Sequence, residues 1–166
     1  MSRVLETLEP KAVFHFFEDL TRIPHGSRNT KAISDYCVAF AKERGLWVYQ
    51  DALNNVIIKK PATAGYEAAP AVILQGHLDM VAEKTPESPI DFTKDALDLR
   101  VEGDYVSANG TTLAATTALP SPWRWPCWTA AKLRTRRLRL CLPSTRRSAW
   151  RARRALIFRS SPPAVC

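Results

Sequence analysis

Every acidic residue of this 166-residue chain lies between Glu6 and Asp104, and no other feature limits what the chain can fold into so strongly. Residues 1–104 hold 16 acidic and 12 basic side chains, a net charge of −4. Residues 105–166 hold Lys132 and 11 Arg with no acid, a net charge of +12. The overall +8 is therefore the sum of two unlike compositions rather than one basic surface. No Gly follows Gly110, while four of the five Trp (Trp123, Trp125, Trp128 and Trp150) and six of the 12 Pro fall beyond it. A chain of this size can bury one core of about 100–150 residues. A stretch with 11 Arg and no acid does not readily join it.

Before the break, the grammar is that of an α/β domain. Val13, Phe14, Phe17 and Leu20 fall at helical spacing after Pro10, which suits a first helical turn, and Pro24 closes the segment. Ile33, Tyr36, Cys37, Phe40 and Ala41 mark a second amphipathic helix, with Gly45 in the place of a C-terminal cap. Leu46–Asp51 and Asn55–Lys60 read as strands joined by a turn containing Asn54 and Asn55. Ala71–Gly76 (AVILQG) is a short apolar run bounded by turn signals and reads as a buried central strand. LDLRVEGDYVSA alternates around Gly103-Asp104 as a hairpin does. Beyond Thr117 neither helix nor strand is supported. PSPWRWPCW has no period, LRTRRLRLCL alternates Leu and Arg without a partner strand, and STRRSAWRARR has no cap or turn logic.

The chemistry-bearing pair is His77 and Asp79, two apart and directly after the AVILQG run. In extended backbone both side chains point to one side, and open α/β sheets bind ligands at the carboxyl ends of their strands. Neutral imidazole is the commonest zinc ligand, and a nearby carboxylate can fix which ring nitrogen faces the metal. Taken alone, an HxD pair is common and equally reads as a polar strand end.

SRNTKAISDYCVAFAKERG, DALNNVIIKKPATAG, VILQGHLDMV, DFTKD and VSANGTTL, spread over residues 1–113, closely resemble the bacterial aminoacyl-histidine (Xaa-His or beta-alanyl-histidine) dipeptidases. These are members of the dinuclear-zinc aminopeptidases, carboxypeptidases and dipeptidases. The resemblance implies an α/β fold: the N-terminal portion of a zinc-peptidase catalytic domain, with helices packed on a mixed sheet. It implies hydrolysis of Xaa-His dipeptides in the cytoplasm with two Zn2+ per active site, and a homodimer in the intact family. In that family GHLDMV carries the first zinc ligand, here His77, and the catalytic aspartate, here Asp79, which orients the metal site without ligating it.

Past Leu113 the resemblance breaks. The family continues with Gly-x-Asp-Asn-Gly, whose Asp bridges the two zinc ions, whereas this chain has Ala114-Ala115-Thr116-Thr117-Ala118. The family's later Glu-Glu pair, a general base followed by a zinc ligand, has no counterpart, since no Glu follows Glu102. The remaining Asp and His ligands and the lid or dimerisation domain are missing as well. The expected organisation is therefore an incomplete catalytic portion over residues 1–114 and an Arg/Trp-rich, disordered tail over residues 115–166.

Codon arithmetic offers an origin for that tail. Trp has the single codon TGG, so starting each codon one base earlier turns Trp125-Pro126 to Ala and Trp128-Thr129 to Asp. The same shift lets Ala115–Leu119 encode Asp-Asn-Gly-Ile and Ser144–Ala152 encode Asp-Glu-Glu-Ile-Gly-Met-Glu-Gly. Both missing family elements reappear in the right order, which suggests a one-base loss near codons 114–115, in the gene or its recorded sequence. A fragment left with one zinc ligand is expected neither to hold zinc tightly nor to hydrolyse dipeptides, because catalytic zinc takes about three protein ligands.

Taken at face value, the tail is instead a basic arm for nucleic acid or an anionic surface, in which Arg136, Arg137, Arg146, Arg147, Arg153 and Arg154 contact phosphates. No RNA-recognition or helix-turn-helix pattern accompanies it, so no specific nucleic-acid partner is expected. Tyr105–Trp123, the longest uncharged run, is too polar for a membrane span, and MSRVLETLEPK lacks the apolar core of a secretory signal. Four Cys without a CxxC pair fit reduced thiols. Of the other His, His15 is expected at the surface or boundary of the first helix, and His25 as a loop-surface or hydrogen-bonded residue.

Overall fold

Pro10 has no amide hydrogen to donate, and its carbonyl opens the first helix, accepting from Val13 N at 2.9 Å and Phe14 N at 3.3 Å. In this computed structural model, which describes residues 3–113, 135 and 137–145, that helix is α1 (Lys11–Thr21). Val13, Phe17 and Leu20 are buried on the expected stripe, and Phe14 is half-buried. α2 (Lys31–Glu43) buries Ile33, Cys37, Phe40 and Ala41. Burial pushes the Cys37 thiol up to about 12, as suits a small hydrophobe rather than a reactive cysteine.

Gly45 follows α2 at φ +62°, donating its amide to Lys42 O at 3.0 Å. No atom lies within 4 Å of where a Cβ would stand, so only the left-handed backbone opposes a side chain there. Gly45→Ala is expected to cost about 1 kcal/mol, read as a lower urea midpoint. An unchanged midpoint would show that the left-handed cap is not needed.

β1 (Trp47–Gln50) and β2 (Val56–Lys60) form an antiparallel pair. The turn between them is held by Asp51, whose Oδ1 accepts the amides of Leu53 and Asn55, each at 2.9 Å, while Asn54 takes φ +64°. β3 is Val72–Gln75, and β4 (Leu99–Glu102) with β5 (Tyr105–Ala108) makes the expected hairpin.

Two expectations need correction. Leu138–Leu142, expected to form neither helix nor strand, is strand β6. It lies inside a four-stranded sheet of order β1-β2-β6-β3, antiparallel to β2 and parallel to β3. Its Leu-Arg alternation does have partners, but they are more than 60 residues away in sequence. Leu138, Leu140 and Leu142 face the core with Val56 and Ile58, while Arg139 is exposed. The AVILQG run, expected as a buried central strand, is the edge strand β3 of this sheet among the described residues, and Ile73 is exposed. Residues 135, 137 and 143–145 are likewise described, and the disorder expected for the remaining positions of 115–166 lies outside the described residues.

One apolar row therefore crosses the mixed sheet from Val48 through Ile58 and Leu140 to Leu74. It packs beneath Leu20, Ile33, Cys37 and Phe40. A second cluster, Leu5, Phe17, Met80, Leu97 and Leu99, ties the N-terminal segment and the β4–β5 hairpin to the segment after β3. No helix among the described residues is long and apolar enough to cross a membrane.

Candidate functional site

Because β3 and β6 run parallel, their carboxyl ends meet at one edge of the sheet. Beyond the last strand pairs, Gly76 N still donates to Cys141 O at 3.2 Å and Leu78 N to Pro143 O at 2.9 Å. His77 and Asp79 stand at this edge, the position where ligands bind in open α/β sheets. Sequence spacing brings the two side chains to one side, and the structure brings them into contact. His77 Nδ1 lies 2.9 Å from Asp79 Oδ1 and 2.9 Å from the Asp79 main-chain oxygen. Both partners only accept hydrogen bonds, so Nδ1 carries the proton and Nε2 carries the lone pair. This is the tautomer a metal-ligating imidazole adopts when a carboxylate backs it.

Asp79 is 6% exposed, and its second oxygen is not left bare: Ser27 donates its hydroxyl to Oδ2 at 2.8 Å. The loop that delivers Ser27 is zipped to the site through the backbone. Met80 N donates to His25 O at 3.0 Å, and Ser27 N donates to Met80 O at 3.0 Å, with Gly26 paired to Met80 as a parallel bridge. A side chain on Gly26 would press on Ala82 at 3.2 Å, so the closeness of this approach depends on glycine.

His25 departs from its surface alternative and keeps the hydrogen-bonded one. It is 2% exposed, and Nδ1 donates to Ile23 O at 2.6 Å. Burial pushes its imidazole below the ordinary value, against the opposing pull of the Ile23 carbonyl and the Asp79 charge, so it stays neutral at pH 7. Its Nε2 is buried without a hydrogen-bond partner among the described residues. His15 is exposed, as expected, and its Nε2 lies 3.5 Å from Asp19 Oδ2, one turn further along α1.

Among the described residues no three His, Cys, Asp or Glu side chains gather into a group that could hold a metal ion. His77 alone falls short of the roughly three protein ligands that catalytic zinc takes. The described residues therefore do not make a zinc centre by themselves. Of the six arginines of the alternative basic arm, Arg137 is exposed just before β6, and its carbonyl accepts Val72 N at 2.9 Å as part of the sheet. Arg136, Arg146, Arg147, Arg153 and Arg154 lie outside the described residues.

No family model matches the chain. Over 111 residues, 67% of its length, the sequence is 42% identical to the cytosol non-specific dipeptidase of Escherichia coli (strain K12). The chain is thus similar to part of a dipeptidase. It spans 23% of that protein's length. The aminoacylhistidine dipeptidase of Vibrio alginolyticus superposes with a TM-score of 0.81 at 34% identity, covering 86% of this chain and 29% of that one. A tripeptidase from Staphylococcus aureus subsp. aureus mu50, at 17% identity and a TM-score of 0.66, shares the fold over 83% of this chain and 37% of its own. The helices and mixed sheet described above are thus part of a peptidase fold, and the dipeptidases that share it are hydrolases of peptide bonds.

Ser27 and His25 were missed as site residues in the sequence because neither belongs to a motif with His77 and Asp79. The signal available was the Pro24 and Gly26 pair in IPHGS, which marks a tightly constrained loop without saying what it touches.

Proposed function

We propose that this chain is part of a cytoplasmic, metal-dependent dipeptidase acting on Xaa-His dipeptides, and that residues from about 115 onward are read one base out of that enzyme's frame. His77 is the first zinc ligand, Asp79 the carboxylate behind it, and residues 1–114 an incomplete portion of the catalytic domain. The chain as written neither holds zinc tightly nor turns over dipeptides.

The observation that carries this reading is the placement of β6. The strand comes from beyond the break, yet its carboxyl end at Leu142 and the Pro143 that follows lie beside the His77 edge, linked by the Leu78 to Pro143 hydrogen bond. Read one base earlier, the codons of Thr145, Arg146 and Arg147 admit Asp-Glu-Glu. The shifted frame would thus supply carboxylates in the segment that follows Pro143, the residue paired beside His77, where a base and a further ligand are wanted. Cys141, buried in the middle of this strand, has a TGT or TGC codon, and one base earlier it encodes Leu, Met or Val. An apolar residue occupies that position in either frame.

Sequencing the gene across codons 114–166 tests the frame. The shifted reading is expected to stay open and to carry Asp-Asn-Gly near codon 115 and Asp-Glu-Glu near codon 145. A stop codon within the next few dozen shifted codons overturns it. At the protein level, metal analysis after dialysis is expected to find far less than one zinc per chain, with no turnover of a His dipeptide. Stoichiometric zinc with turnover would overturn the inactivity.

A further inference from the structure

We infer that Ser27 is a positioning residue for His77, acting through Asp79. Asp79 has two carboxylate oxygens, and each is committed: Oδ1 to His77 Nδ1 at 2.9 Å and Oδ2 to Ser27 Oγ at 2.8 Å. A carboxylate held at one oxygen only can rotate about χ2, a torsion with a broad minimum. Held at both, it presents Oδ1 to the imidazole in one orientation. The Ser27 hydroxyl has a single proton and a second acceptor nearby, Met80 O at 3.3 Å. The shorter contact to a charged oxygen is the stronger of the two, so the proton goes to Asp79.

The chain places this hydroxyl by main-chain bonds that do not involve the Ser27 side chain. The amide of Ser27 and the carbonyl of His25 both pair with Met80, one residue beyond Asp79. Loop position and hydroxyl contact are therefore separable by mutation. Ser27→Ala removes the contact and leaves the backbone bridge, while Ser27→Thr keeps a hydroxyl at the same β-carbon. The relay spans 52 residues of sequence, from the loop after α1 to the segment after β3. Its catalytic meaning rests on the reading of His77 as a zinc ligand; the contact itself does not.

The test is imidazole NMR on the full chain labelled with 15N-histidine, together with amide hydrogen exchange. In the parent protein the His77 Nδ1–H is expected to be detected as a carboxylate-bonded proton in slow exchange with water. In Ser27→Ala its exchange is expected to rise about tenfold, the effect of losing one charge-assisted hydrogen bond. Ser27→Thr is expected to restore it, and the Ser27 and Met80 amides are expected to keep their protection in all three proteins. An unchanged Nδ1–H exchange rate in Ser27→Ala overturns the proposal. So does a parallel loss of protection at the Ser27 and Met80 amides, because the hydroxyl would then be holding the loop rather than the carboxylate. Adding Zn2+ to the same samples reports separately on the ligand reading. At millimolar excess, where a single imidazole still makes a weak contact, a His77 Nε2 that responds to zinc no more than that of exposed His15 makes that reading fail while the Ser27 result stands.

Discussion

Leu140→Ala is expected to lower the unfolding free energy by about 3 kcal/mol, and Arg139→Ala, one residue away, to change it by less than about 0.5 kcal/mol. The contrast follows from the pleat of β6. Leu140 is 3% exposed, stands between Ile58 on β2 and Leu74 on β3, and belongs to the cluster under α2. Removing its isobutyl group leaves a cavity that neighbours fixed in two flanking strands cannot fill. Arg139 points to the other face, where it is exposed and sits directly across from Lys59. Like charges opposite one another weaken a strand pair, so its truncation is neutral or slightly stabilising. Urea denaturation of both variants measures the difference. Equal, small effects would mean that the Leu-Arg segment is not inserted in the sheet, and would remove the main support for the shifted-frame reading.

Local elements were legible because their determinants are local. The i, i+3, i+4 series from Ile33 to Ala41 needs only one face of one helix, and it is the face that is buried. The Asn54 turn and the Gly103 turn lie within the hairpins they close. The His77–Asp79 contact was readable from a spacing of two. Position within the sheet was not. AVILQG reads as a central strand because four apolar residues in a row suggest burial on both faces, yet the order of strands depends on which distant segment pairs with its edge. That segment, LRLCL, reads as neither helix nor strand because its composition is foreign and no neighbour in sequence completes it. Its pattern of Leu at alternate positions is nonetheless what a strand with one buried face requires. Ser27 was illegible for the same reason as β6: its partner is 52 residues away, and a single Ser in a loop carries no periodic signal.

Glu18→Gln is expected to cost about 2 kcal/mol at pH 7 and to remove part of the chain's acid sensitivity. Glu18 is 3% exposed on α1, and its carboxylate accepts the amides of Val4 at 3.1 Å and Leu5 at 3.0 Å, together with Arg22 Nη2 at 2.8 Å. These bonds fasten the N-terminal segment, and with it the buried Leu5, against α1. Burial opposes ionisation of this carboxyl, but the Leu5 and Val4 amides and the Arg22 guanidinium outweigh it and hold the group below its ordinary value. A carboxyl whose folded value lies below its unfolded one stabilises the fold fully above the unfolded value, and that contribution disappears as pH falls through the folded one. Gln accepts through one oxygen only and turns an NH2 toward groups that are themselves donors, so at least one donor among the two amides and Arg22 loses its partner. The parent protein should therefore lose stability as pH drops below about 4.5, and the gap between parent and Glu18→Gln should narrow over the same interval. Urea midpoints of both proteins between pH 7 and pH 3 measure this. A gap that stays constant across that range would mean that the charge on Glu18 is not what holds the N-terminal segment, and that shape alone fixes Leu5 in its cluster.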